Sequence, residues 1–194
     1  LVTIIPRGKE STMFHQPNIE FVEMQAQAIG IPLVMRELKA DENEEDVLKE
    51  VLGSMDGIEG VVTGTLFSVD QKMKLDGVCK DIGKEHLSIS WERDMGQYWQ
   101  EMLVSGFDVI VTSVNAQGMG EEWLGRKIDE EALKDLAKLR NKHEIHEAGE
   151  FGEFSTFVRD GPIFSKKVVI KDAHRHWTGV NGVFMIKDAE LAEK

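Results

Sequence analysis

Apolar residues along the chain follow two rhythms, short continuous runs and stripes recurring every three or four positions. The β-branched run Leu1–Ile5 predicts a strand. Asn18 is placed to cap a helix through Ala28, with Phe21, Val22, Met24, Ala28 and Ile29 as its apolar stripe and Gly30 as its stop. Ile31–Val34 predicts a second strand. The acids of Asp41–Glu45 then suit the positive end of a helix carrying Val47, Leu48, Val51 and Leu52, ended by Gly53. Gly60–Leu66 predicts a third strand, Ser68–Ile82 a helix, and Leu87–Ser90 a weaker fourth strand. A helix over Met95–Ser105 leads to the strongly apolar strand Phe107–Val114; residues 115–128 form a loop, and Asp129 caps a helix reaching about Lys142. Beyond it the rhythm changes, and Phe154–Val158, Lys167–Lys171 and Val180–Ile186 predict strands with no helix between them.

Strands alternating with helices imply an α/β fold with a parallel sheet covered on both faces, and the strand-only tail implies an appended antiparallel element. Ligands of open parallel sheets bind at the carboxyl ends of strands, which directs attention to Ile5–His15, Gly64–Ser68 and Asn115–Gly118.

Composition narrows the function classes. The 194 residues are 41% hydrophobic, enough for a core, with 23 basic against 35 acidic side chains and a net charge of −12. Such a surface repels nucleic-acid phosphates and anionic lipid. No apolar run approaches the roughly eighteen residues a membrane span needs. A single cysteine, Cys79, allows neither an intramolecular disulfide nor a cysteine-based zinc cluster, so a cytoplasmic protein is expected and Cys79 reads as core filling.

The densest chemical signal is the run from Gly149 to Phe164, GEFGEFSTFVRDGPIF. Its glycines allow tight backbone conformations, and Glu150 and Glu153 are spaced to converge on a cation or on an amine that must lose a proton. The alternative is a solvated turn entering a strand, both acids facing water. The run resembles the Gly-Glu-x-Gly-Glu signature of the diphthine–ammonia ligase family, ATP pyrophosphatases of the adenine-nucleotide alpha-hydrolase type. Further stretches match that family in order: Leu1–Pro6, Met13-Phe14-His15 with Pro17-Asn18, Gln25–Pro32, Gly60–Leu66 with Gln71 and Val78-Cys79, and Leu124-Gly125-Arg126.

The resemblance implies a Rossmann-like, nucleotide-binding part over residues 1–83 and a family-specific, β-rich substrate part over 84–194. It implies an ATP-dependent ligase that turns a carboxylate into an amide through an acyl-adenylate, releasing pyrophosphate and then AMP. The acid would be diphthine on elongation factor 2, the nitrogen source ammonium, and magnesium would accompany ATP. A ligase of the same chemistry acting on another carboxylate, or a truncated non-catalytic relative, remains open, as does a homo-oligomer. Glu150 and Glu153 would bind or deprotonate ammonium. Gly149, Gly152, Phe154, Thr156, Arg126 and Gln71 would serve the acid substrate, and Thr3, Ile4, Ile5, Met13, His15, Gly64 and Thr65 the nucleotide.

The family's Ser-Gly-Gly-Lys-Asp-Ser phosphate loop has no counterpart here. Gly8-Lys9-Glu10-Ser11 is the nearest fragment, which leads to the expectation of a missing upstream strand–loop–helix of about thirty residues. Several features carry two readings. Gly64 either leaves room for a purine or ribose or permits close helix packing. Arg126 pairs with an acid or phosphate, or fixes its loop. His15 touches nucleotide or lies on a surface turn. The pairs His143/His146 and His174/His176 have metal-ligand spacing but read more simply as solvated side chains, and the four tryptophans read as packing anchors.

Overall fold

The computed structural model describes residues 1–7, 11, 13–14 and 17–194. His15 and the Gly8-Lys9-Glu10 fragment lie outside the described residues. The described residues form a mixed α/β protein with two parallel strand pairs and one antiparallel sheet. It divides into a smaller unit, Val2–Gln16 with Val34–Arg93, and a larger one, Pro17–Leu33 with Asp94–Lys194 and Leu1. Among the described residues no helix is long and apolar enough to cross a membrane.

In the smaller unit, β1 (Val2–Pro6) pairs in parallel with β2 (Val34–Leu38), and β3 (Gly60–Thr63) with β4 (Glu85–Ser88). Helices α2 (Glu44–Gly53) and α3 (Val69–Asp81) supply cover. Ile4 and Leu38 from the strands meet Val47, Leu48, Val51 and Leu52 of α2 and Val78 of α3 in one core. The caps follow the sequence logic: the Asn43 side chain accepts from the Glu45 and Asp46 amides, and Ser68 Oγ from the Gln71 amide. Ahead of α2, the Arg36 guanidinium 2.8 Å from Glu42 holds that carboxyl down at about 2.

The second strand starts at Val34, not at Ile31. The Ile31 amide donates to Ala26 O in the turn that ends the preceding helix, and Pro32 has no amide to give, so a ladder cannot begin before them.

The larger unit opens with a 3-10 turn, Ile19–Phe21, and α1 (Val22–Ile29). Helix α4 (Met95–Val104), strand β5 (Asp108–Val114) and helix α5 (Glu130–His143) follow, then β6 (Phe154–Asp160), β7 (Lys167–Trp177) and β8 (Gly182–Ala192). The sheet order is β6-β5-β8-β7, antiparallel throughout. The expectation that β5 continues a parallel sheet is therefore corrected. Val109, Val111 and Val114 enter a core with Trp99, Trp123, Leu124, Leu136 and Phe154, while Ile110 enters another with Phe157, Val168 and Ile186. Burial on both faces gives an antiparallel strand the unbroken apolar run that usually marks a parallel one. The region 115–128, expected as plain loop, contains a 3-10 turn at Glu121–Trp123 and an antiparallel bridge from Lys127 to Ile110. The last two strands run beyond their apolar stretches because hairpin pairing holds their polar halves too.

Asn18 is not a helix cap of the expected kind. Its side chain makes no cap bond; Nδ2 donates to Phe184 O at 2.9 Å and Oδ1 accepts from the Ile186 amide at 2.8 Å. The residue is buried at a φ of 61°, a backbone conformation that asparagine tolerates better than most residues. Replacing Asn18 with Ala is expected to cost about 1–3 kcal/mol, because it strands two β8 backbone groups in the interior. Urea unfolding measured beside the unaltered chain checks this value.

Candidate functional site in the Gly-Glu loop

The loop between α5 and β6 is built from the core outward. Phe154, the first residue of β6, is 1% exposed and packs its ring into the larger unit's main core. The expectation that this ring faces a substrate gives way to packing. Its carbonyl turns back towards Gly149, where an added Cβ would lie 2.3 Å from that oxygen. Gly149 also has a φ of +69°, so position 149 excludes a side chain on two grounds. Gly152, at φ +89°, has open space where a Cβ would go and needs only its backbone freedom.

Glu153 closes the loop. Its Oε1 accepts from the His146 amide at 2.8 Å and its Oε2 from the Phe151 amide at 2.9 Å, while its carbonyl accepts from the Asn115 amide beyond the end of β5. Each carboxylate oxygen keeps a second lone pair, so this anchoring leaves acceptor capacity for a cation. The Glu150 amide points at His146 Nδ1 at 3.4 Å, and the Ala148 amide at the same atom at 3.3 Å. An imidazole nitrogen facing two amides is an acceptor, so the ring proton belongs on Nε2. Burial pushes the His146 pKa below its ordinary value against the opposing pull of Glu153, Glu150 and Glu147, which keeps that acceptor available. Trp99 Nε1 donates to Glu147 O and Arg140 pairs with the Glu147 carboxylate at 2.8 Å, tying the loop's start to α4 and α5. Phe151, 65% exposed, lies edge-on to the His146 ring with centroids 5.4 Å apart.

Sequence reasoning gave His146 a metal-spacing reading and the simpler one of a solvated side chain. Its place three residues before Gly149 is the signal that ties it to the loop. Among the described residues no three His, Cys, Asp or Glu side chains form a group that could hold a metal ion.

The other candidates are placed as follows. Arg126 donates to Asp135 at 2.7 Å and stacks over the Trp123 ring at 4.3 Å, which is the loop-fixing arrangement. Thr156 is exposed on β6. In the smaller unit Ile4 lies in the core, so its side chain is committed to packing, and Ile5 is buried while Thr3 is half-buried. The Met13 amide donates to Ser11 Oγ, and Met13 packs against that same core. Gln71 lies in the first turn of α3. At Gly64, just past β3, a Cβ would meet nothing within 4 Å among the described residues, so none of them packs closely on this glycine. Thr65 beside it is buried.

Sequence reasoning also missed a polar network in the smaller unit. His86, whose side chain is 3% exposed, has Nδ1 2.6 Å from Asp76 Oδ1 and Nε2 2.8 Å from Thr63 Oγ1. Lys72 Nζ lies 2.7 Å from Asp76 Oδ2, and Lys72 and His86 together hold the Asp76 carboxyl below its usual range. Lys72 and Asp76 are four apart on α3, but nothing in the spacing links them to Thr63 on β3 or His86 on β4.

Two outcomes follow for the loop. Gly149→Ala is expected to unfold the loop or the larger unit, whereas Gly152→Ala costs about 1–2 kcal/mol from its φ alone; thermal melts of the two variants separate the cases. Folding favours the neutral His146 ring, so this contribution is full above the ordinary histidine pKa and is lost as pH falls from there through the lower pKa of the folded ring. In an amide NMR titration, the Ala148 and Glu150 resonances should shift together, with a midpoint below that of free histidine.

The family model of the diphthamide synthase N-terminal domain matches residues 1–86, and that of the diphthamide synthase C-terminal domain matches residues 94–192. A Schizosaccharomyces pombe protein named diphthine–ammonia ligase is 30% identical over 179 residues, covering 84% of this chain and 29% of that protein. A Danio rerio protein of the same name is 31% identical over 178 residues, covering 83% of this chain and 69% of the relative. A Homo sapiens counterpart is 27% identical over 177 residues, covering 83% and 66%. The chain thus spans from 29% to 69% of the length of these curated relatives.

Proposed function

The chain belongs to the diphthamide synthase family, and on that premise we propose that it is part of an ATP-dependent ligase that amidates diphthine on elongation factor 2. The matched relatives carry the name diphthine–ammonia ligase. The observation that supports the reading for particular residues is the loop from Gly149 to Phe154, where the Glu153 carboxylate gathers the His146 and Phe151 amides beside Glu150.

A carboxylate is a poor acyl donor because its oxide is a poor leaving group. In the proposed reaction the diphthine carboxylate attacks the α-phosphorus of ATP, pyrophosphate leaves, and AMP becomes the leaving group of an acyl-adenylate. Ammonia then attacks the acyl carbon and AMP departs. Ammonium has no lone pair until it loses a proton, and Glu150 and Glu153 are assigned that binding and deprotonation. Glu153 would do so while bracing the loop through the His146 and Phe151 amides. The acid-substrate role assigned to Thr156 and Gln71 follows the resemblance alone.

Nucleotide binding is assigned to residues 1–83, read as part of a Rossmann-like sheet. The open space over Gly64, at the carboxyl end of β3, supports placing part of the nucleotide there. Magnesium enters as the counter-ion of the triphosphate, neutralising charge that pyrophosphate carries away. With a translation factor as partner, the reaction belongs in the cytoplasm.

Glu150→Gln tests the reading most cleanly, since Glu153→Gln would also turn an amide donor towards a backbone N–H. The expected outcome for Glu150→Gln in the full natural polypeptide is an unchanged melting temperature, retained ATP binding and loss of ammonium-dependent AMP release by at least about a hundredfold. Turnover equal to that of the unaltered enzyme would remove Glu150 from the chemistry.

A further inference from the structure

Strand β3 ends at Thr63, and at the next residue, Gly64, a Cβ would meet nothing within 4 Å among the described residues. The Thr63 hydroxyl is therefore at the rim of the strands while being held from behind. His86 Nε2 lies 2.8 Å from it, Asp76 Oδ1 lies 2.6 Å from His86 Nδ1, and Lys72 Nζ lies 2.7 Å from the other Asp76 oxygen. Thr65 Oγ1 is 3.4 Å from Thr63 Oγ1, and the Thr65 carbonyl is fixed by Ser88 Oγ at 2.6 Å. Three elements thus converge on one hydroxyl, through an imidazole that is almost entirely buried.

The direction of the hydrogen bonds follows from the donor inventory. Asp76 as a carboxylate can only accept, so it takes the Nδ1–H proton of His86. With the ring carrying that one proton, Nε2 can only accept, and the Thr63 hydroxyl then donates to it. The hydroxyl's single proton is then committed inward, and only lone pairs face the rim. A core threonine would not require this; a satisfied buried histidine needs a partner at each nitrogen but not one that borders an opening.

We propose that Thr63 accepts a hydrogen bond from a donor group of the bound adenine nucleoside, with His86 and Asp76 as positioning residues that lock its hydroxyl in the accepting sense. This rests on the nucleotide occupying the carboxyl end of β3. The donor has two sources of the same chemistry, the 6-amino group of the base or a ribose hydroxyl.

Calorimetric binding of ATP, inosine triphosphate, and 2′- and 3′-deoxy-ATP to the full natural polypeptide distinguishes them. Thr63→Val, nearly isosteric, is expected to weaken ATP binding about tenfold, whereas Thr63→Ser retains it. If the base is read, the unaltered protein rejects inosine triphosphate, whose 6-oxo group meets lone pairs. His86→Phe then narrows that preference, because the released hydroxyl can rotate and donate. If the ribose is read, inosine triphosphate binds as ATP does, one deoxy analogue binds more weakly, and Thr63→Val erases that deficit. Either pattern supports the inference, and the His86→Phe preference serves if Thr63→Val does not fold. Should Thr63→Val or His86→Phe bind every analogue as the unaltered protein does, the inference is overturned while nucleotide binding stands. Failure of the unaltered protein to bind ATP would overturn both.

Discussion

The larger unit depends on a contact that leaves no room for an atom. The Phe154 carbonyl sits where a side chain on Gly149 would begin, and the Phe154 ring is locked in the core beside Trp99 and Trp123. Because the ring cannot move, the carbonyl cannot, and the backbone at position 149 has a single way past it. Glycine in this loop is therefore a means of rigidity and not of motion. Glu153 then draws the His146 and Phe151 amides onto one carboxylate, and His146 Nδ1 draws in two more, so four loop amides find partners without a regular element.

The smaller unit solves a different problem with similar means. Two parallel pairs gain their stability from the helices laid on them, since Ile4, Leu38 and Val78 have a common core with the inner face of α2. His86 is admitted to the interior because Asp76 and Thr63 take both of its nitrogens, and Asp76 is in turn balanced by Lys72. The cost of burying an imidazole is met at each step by a partner of fixed geometry.

Local chemistry was legible in the sequence, whereas pairing partners were not. Asn43, Ser68 and Asp129 cap their helices as their residue types dictate, because a cap is decided within three or four positions. Strand β5 misled because its apolar run records burial on both faces and says nothing of direction. Ile31 misled because its amide was already engaged by the end of α1. Asn18 reads as a cap by type, yet its side chain serves two backbone groups far along the chain. In the candidate site, the glutamates and glycines stood out as a motif, but the commitment of Phe154 to the core and of Arg126 to Asp135 and Trp123 depends on neighbours that spacing cannot reveal. The Thr63–His86–Asp76 set was invisible for the same reason.

The reach of Asn18 has a consequence for biosynthesis. Its acceptor Phe184 O lies 166 residues further along the chain. A ribosome working at 5–20 residues per second takes about ten to thirty seconds to cover that distance. For that interval α1 and the turn before it have been made, but the β8 backbone that Asn18 engages has not. Their apolar stripe, with Phe21 and Met24, is then without the Phe157 and Ile186 partners that bury it. An early part of the larger unit to be made is thus among the last to be secured.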